Sequence, residues 1–176
     1  MRSAVRPRTP ADLPGCVAAL AAVHEASRYP VAWPSDPTRW ITTAATRHAW
    51  VAEAGGAVAG HAALTATSAD LAAAAGLPAD ELGSVARLFV APAARGRGLA
   101  AALLDVCEAA ARADGRRPVL EVESSAAAAI RLYERAGWRR VSTRAASWTA
   151  PTGSPAVMHA YLAPCRGAGN CASGHM

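Results

Sequence analysis

The chain is 176 residues long with a mass of 17.9 kDa, enough for one domain with a core of its own. Hydrophobic residues reach 52%, but 48 of them are alanine, so the other apolar side chains, about a quarter of the sequence, must do the packing. Charged residues stand at 18% with a formal charge of +5 and no long basic run, which excludes wholesale disorder and argues against a generic nucleic-acid patch, and no apolar stretch approaches the ~18 residues of a membrane span.

Lysine is absent, and all 18 basic residues are arginine; with the alanine excess this is a compositional bias without functional weight. Cys16, Cys107, Cys165 and Cys171 form no CxxC pair and no cluster with histidine at ligand spacing. Free thiols are therefore expected, with no metal. The opening MRSAVRPRTPADLPG lacks the apolar core of a secretory signal, so a cytoplasmic location is expected.

Ser3 to Arg8 reads as a first strand. Thr9-Pro10-Ala11-Asp12 supplies a capping hydroxyl, a proline at the first helical position and an acid in the first turn. These predict a helix to about Glu25, with Leu13, Val17, Leu20 and Val23 on one stripe. Between Tyr29 and Trp40 three prolines forbid a long regular element. Ala49–Glu53 and Val58–Thr65 read as strands joined through Gly55-Gly56, a hairpin signal. An alanine-rich excursion over Ser68–Asp80 leads into a strand from Leu82 to Val90. Leu99, Leu103, Val106 and Ala110 then set a helical period within Gly96–Asp114. A strand over Pro118–Glu123, a helix over Ala126–Ala136 and strands over Trp138–Trp148 and Ala156–Leu162 complete the pattern, the last two flanking Pro151-Thr152-Gly153. Residues 3–163 are thus expected to form one α+β domain, with 164–176 as a flexible tail.

The segment Leu88-Phe-Val-Ala-Pro-Ala-Ala-Arg-Gly-Arg-Gly-Leu-Ala100 carries the strongest chemical signal. A strand ends, and a glycine-rich turn with Arg95 and Arg97 opens into a helix. Helix-head amides without acceptors, a positive dipole end and glycines that allow close approach together suit a diphosphate. The same residues also fit a plain strand–turn–helix junction. Gly96-x-Gly98-x-x-Ala101 further fits a dinucleotide fingerprint, and hence a Rossmann-like oxidoreductase. Its position, with about 90 residues before it, and the helix-less pair of strands after it argue against that.

Val90-x-Pro92-x-x-Arg95-Gly-Arg-Gly98-Leu-Ala100 resembles the signature of the GNAT (Gcn5-related) N-acetyltransferase superfamily. A second block, Leu120-Glu-Val-Glu-Ser-Ser-Ala-Ala-Ala-Ala-Ile130-Arg-Leu-Tyr133-Glu-Arg-Ala-Gly137-Trp, resembles that family's LxVxxxNxxAIxLYExxGF segment. Val5 to Leu13 also looks like its first strand and helix. The resemblance implies a mixed, mostly antiparallel sheet of about seven strands, flanked by about four helices, whose central strands splay. It implies an acetyl-CoA-dependent N-acetyltransferase acting on a primary amine, either a small molecule or a peptide N-terminus, as monomer or homodimer. The alternative on the same fold is an acyl-CoA-binding or sensing domain with little catalysis.

By the same resemblance, Leu88, Phe89 and Val90 would pair with the pantetheine arm, and Arg95, Gly96, Arg97, Gly98, Leu99 and Ala100 would hold the pyrophosphate. An N–H near Phe89 or Val90 would polarise the thioester carbonyl, and Tyr133 would protonate the departing thiolate. Tyr133 equally fits a tyrosine packing its ring in the core. Ala126 stands where the family commonly has asparagine, and Ser124 or Ser125 could supply a capping hydroxyl instead. Glu81 is the first candidate base, His61 the second and Glu123 the third, although each also fits a solvated or structural role. The acceptor is expected against Tyr29, Trp33 and Trp40, with Asp36 attracting its ammonium group; a self-packed proline-rich cover is the other reading.

Overall fold

A computed structural model describes residues 4–150 and 153–165. In chain order the elements are β1 (Ala4–Pro7), α1 (Leu13–Ser27), α2 (Pro37–Ile41), β2 (Thr46–Ala54), β3 (Ala57–Thr65), α3 (Ala69–Ala75) and β4 (Leu82–Val90). They continue with α4 (Leu99–Ala113), β5 (Arg117–Glu123), α5 (Ala127–Arg135), β6 (Arg139–Thr149) and β7 (Pro155–Leu162). Seven strands among the described residues form one sheet in the order β1-β2-β3-β4-β5-β7-β6. Every pairing is antiparallel except that of β4 with β5. The sheet is therefore mixed and mostly antiparallel, flanked by four helices of at least seven residues and the five-residue α2.

Two boundaries differ from the sequence reading for physical reasons. The helix expected from Gly96 starts at Leu99, because Gly96 and Gly98 both lie at φ 75°, a left-handed conformation that keeps the chain turning. Within the proline-rich loop, Pro37–Ile41 forms a short helix, since Asp36 accepts a hydrogen bond from the N–H of Arg39 (2.9 Å) and proline is favoured at the first position. The expected tail from residue 166, together with Pro151 and Thr152, lies outside the described residues. Cys16 and Cys107 are buried free thiols, pushed up by burial to about 11 and about 12 respectively. Cys165 is disulfide-bonded, which corrects the expectation of free thiols throughout.

Helices cover both faces of the sheet. Leu99, Leu103, Cys107 and Ala111 of α4 recur every fourth residue and are all buried, the first three packing with Val85, Val90, Leu120, Val122 and Tyr133. A separate cluster sits under α1, where Cys16, Leu20 and Val23 meet Ile41, Val51 and Phe89. Alanines 59, 62 and 63 of β3 are buried, and their small side chains let the helices approach the sheet closely. Arg6 ties the N-terminal elements together through Asp12 (2.7 and 2.8 Å) and Glu53 (2.6 and 2.9 Å).

One pairing sets up everything that follows. β4 and β5 match only at Leu82–Arg117, Gly83–Pro118 and Ser84–Val119. Beyond Ser84 the two strands have no register in common, so they part towards the C-terminal end of β4.

Candidate active site

The β4–α4 turn is the end towards which the strands open. Ala91 donates to the carbonyl of Ala59 (2.7 Å) across β3, and Gly60 faces Val90 while His61 faces Phe89. Antiparallel strands alternate the direction of their polar groups, so Ala91 and Phe89 turn theirs to β3, and Val90 turns its N–H and C=O to the open side. Leu88 follows Val90 in this alternation. The cleft is thus lined by β4 backbone groups that β5 does not pair.

At the head of α4, Arg95 donates its backbone N–H to Pro92 (3.2 Å) and its side-chain Nε to the Val90 carbonyl (3.4 Å). The first fact removes Arg95 from the expected row of free amides. From Gly96 to Ala101 the backbone N–H groups find no acceptor among the described residues; the first helical bond is Ala102 N–H to Gly98 O (3.0 Å). Arg97 is exposed and lines a shallow cavity of about 350 Å³ with Ala54, Val58, Ala91 and Ala93. Leu99 is buried beneath this turn, and Ala100 half-buried.

Tyr133 projects from α5 into the core, 6% exposed, with its ring near those of Trp138 (6.2 Å) and Tyr161 (6.1 Å). The ring packs in the core, as one of the two sequence readings expects, and the hydroxyl has no hydrogen-bond partner among the described residues. Burial holds the phenol well above its ordinary value, and the nearby Tyr29 adds to that.

A second cavity, about 410 Å³, opens between the end of α1, the end of β5 and the β6–β7 hairpin, lined by Ser27, Arg28, Glu123, Ser124, Ser125 and Val157 among others. Glu123 sits in its wall and accepts hydrogen bonds from the hydroxyls of Ser125 and Ser124. Those contacts correct the expected helix cap: α5 begins after Ala126 with no side-chain cap, since both serines turn to the carboxylate instead.

The other candidate bases are elsewhere. Glu81 ends a 3-10 turn just before Leu82, at the closed end where β4 and β5 are paired. It is eight residues upstream of Phe89, roughly 26 Å along an extended strand. The structure does not bring it to Tyr133. His61 is fully buried, with both ring nitrogens occupied. Arg8 donates to Nε2 (3.0 Å), so the ring proton is on Nδ1 and is donated to the carbonyl of Arg87 (3.0 Å). Burial, with Arg8 and Arg87 opposing a positive charge, lowers His61 to about 4. It has no lone pair to offer a substrate; it is a strut under β4.

What the strut supports is a bulge. His61 faces Phe89 and Ala63 faces Ala86, so β4 carries one residue more than β3 over that interval, and Arg87 within it lies at φ 54°. Arg87 is half-buried, with its guanidinium carbon 3.7 Å from the centre of the Trp40 ring and its Nε donating to the Trp40 carbonyl (3.1 Å). Tyr29 meets the Trp40 ring edge-on (5.9 Å), and its hydroxyl lies against Arg87. Of the four aromatic and acidic residues expected to face an acceptor, Tyr29 and Trp40 therefore come together on Arg87. Trp33 packs instead on His24 (5.4 Å) and is 40% exposed, while the Asp36 carboxylate is engaged in capping α2. Sequence reasoning missed Arg87; the available signal was one arginine inside the otherwise uncharged run Leu82–Val90.

The sequence profile described as Acetyltransferase (GNAT) family matches residues 18–138, well over half of the chain. The chain belongs to the GNAT acetyltransferase family. No curated protein matches it in sequence. Solved GNAT structures share the fold at low identity. The ribosomal-protein-S18-alanine N-acetyltransferase from Escherichia coli is 20% identical, with TM-score 0.68 over 94% of this chain and 97% of that one. A GCN5-related N-acetyltransferase from Kribbella flavida is 24% identical, with TM-score 0.69 over 93% and 98%. NAA60 from Arabidopsis thaliana in complex with acetyl-CoA is 19% identical, with TM-score 0.70 over 92% and 97%. Among the described residues of this GNAT chain, no group of His, Cys, Asp and Glu could hold a metal ion. No helix among them is long and apolar enough to cross a membrane.

Proposed function

We propose that this protein is an acetyl-CoA-dependent N-acetyltransferase, with residues 3–163 acting as one domain, that passes an acetyl group directly to a primary amine. The observation that supports it most is the convergence on one cleft of the unpaired α4 amides, the unpaired edge of β4 and the partnerless Tyr133 hydroxyl. Acetyl-CoA bound there supplies an activated acyl group as a thioester. The amides of Gly96 to Ala101 hold the diphosphate, and the β4 edge takes the pantetheine arm as it would an added strand. The Val90 N–H donates to the thioester oxygen and binds it more tightly as negative charge grows there, an effect worth ~3–4 kcal/mol per donor in acyl transfer.

As the amine nitrogen bonds to the acetyl carbon, it loses a proton, which Glu123 accepts directly or through one water in the adjoining cavity. The carbon–sulfur bond breaks, and Tyr133, protonated at any physiological pH because burial raises it, gives its proton to the sulfur. The test is release of free CoA thiol from acetyl-CoA in the presence of a panel of primary amines, with N-acetyl product weighed by mass spectrometry. Amine-dependent release with one product per thiol is expected, and Glu123→Gln should slow it about 10²–10⁴-fold. Tight acetyl-CoA binding without amine-dependent release would leave an acyl-CoA-sensing domain in its place.

A further inference from the structure

We infer that Arg87 is the anion-binding subsite of the acceptor pocket, and that the acceptor is a small amine carrying a carboxylate close to its nitrogen, an amino acid or a molecule of that shape. This rests on the N-acetyltransferase reading and names the acceptor class for it. A guanidinium removed from water needs a counter-charge or a full set of hydrogen bonds, because an unpaired buried charge is costly. Arg6, Arg112 and Arg144 each have a carboxylate partner; Arg87, half-buried and losing solvation, has none among the described residues. Its Nε is held by the Trp40 carbonyl, its face by the Trp40 ring, and the Tyr29 hydroxyl lies against it, which together orient the guanidinium without supplying a counter-charge.

Two further observations point the same way. Arg87 occupies a left-handed backbone conformation in the β4 bulge, an unfavourable state for a non-glycine residue, and the buried His61–Arg8 pair holds its carbonyl. Strain maintained by a buried strut is the mark of a side chain aimed for a purpose rather than one left over. Arg87 also stands beside the chemistry, because it immediately precedes Leu88 on the stretch of β4 that β5 leaves unpaired. A carboxylate on Arg87 therefore lies beside the β4 edge to which the proposed function assigns the thioester.

The experiment compares the common amino acids with their own amides, which keep the amine and side chain and lack only the charge. Acetyl-CoA-dependent thiol release is measured for each pair, with binding of the acids to the protein–CoA complex followed by calorimetry. For the acids that are used, kcat/KM should exceed that of the amides about tenfold to a hundredfold. In Arg87→Gln the preference should vanish through a raised KM for the acids, leaving the amides and acetyl-CoA affinity unchanged; Arg87→Lys should recover part of it. Amides used as well as acids by the unaltered protein, or no acid bound at all, would overturn the inference even if Arg87→Gln failed to fold. Failure of acetyl-CoA itself to bind would instead strike the N-acetyltransferase reading beneath it.

Discussion

Tyr133 sits at a boundary between packing and chemistry, with a ring fixed against Trp138 and Tyr161 and a hydroxyl that no neighbour uses. Tyr133→Phe keeps the ring and deletes only the proton. Steady-state turnover should fall about 10²–10⁴-fold while acetyl-CoA affinity by calorimetry stays unchanged; equal turnover would remove Tyr133 from the reaction. His61 makes a prediction of the opposite kind, about stability. Its folded value of about 4 lies below the ordinary imidazole value near 6.5, so between those pH values the unfolded chain binds a proton that the folded chain does not. Stability should therefore fall as pH drops from about 6.5 to about 4, by roughly 3 kcal/mol, and be full above that window. Chemical denaturation across pH 4–7 should give a flatter curve for His61→Gln; parallel curves would show that His61 contributes no such linkage. At this scale the Tyr133 position was legible from the Leu-Tyr-Glu-Arg-Ala-Gly segment. Which carboxylate lies towards the open end of the sheet was not, because that depends on where β4 and β5 stop pairing, and no local pattern encodes that.

Among the elements, β4 is the one that function bends. Its bulge, its short pairing with β5 and its close packing on β3 all fall within nine residues. Gly60 is the tightest point of that packing: a Cβ there would lie 2.9 Å from the Phe89 carbonyl oxygen and 3.2 Å from side chains of Leu103 and Val90. Gly60→Ala should thus push the β4 edge, costing about 1–3 kcal/mol by denaturant unfolding and lowering kcat in thiol release. Unchanged stability and rate would mean that β4 yields freely at this point. Element identity was largely readable, since α4 and the β2–β3 hairpin follow from periodicity and Gly55-Gly56. The start of α4 was not, because two left-handed glycines postpone the helix; nor was α2, where three prolines in the loop drew attention from the Asp36-Pro37 start signal.

Across the whole molecule, one arrangement recurs at each level. Helices on both faces clamp a sheet whose middle is open at one end, and the amides of α4 point to that opening. Sheet order was beyond periodicity alone, because strands far apart in sequence become neighbours, as β5 does with β7 and with β4; the two family-like blocks implied only the mixed, mostly antiparallel class and the splayed centre. The most direct measurement is a calorimetric titration of acetyl-CoA into the unaltered protein, Gly98→Ala and Gly98→Glu. Gly98 has φ +75° and open space beyond its Cα, so alanine adds only backbone strain of about 1 kcal/mol, whereas glutamate adds a negative charge at the diphosphate. One-to-one binding is expected for the first protein, slightly weaker binding for Gly98→Ala and at least a hundredfold loss for Gly98→Glu. Undiminished affinity in a folded Gly98→Glu protein would contradict a diphosphate site at the head of α4.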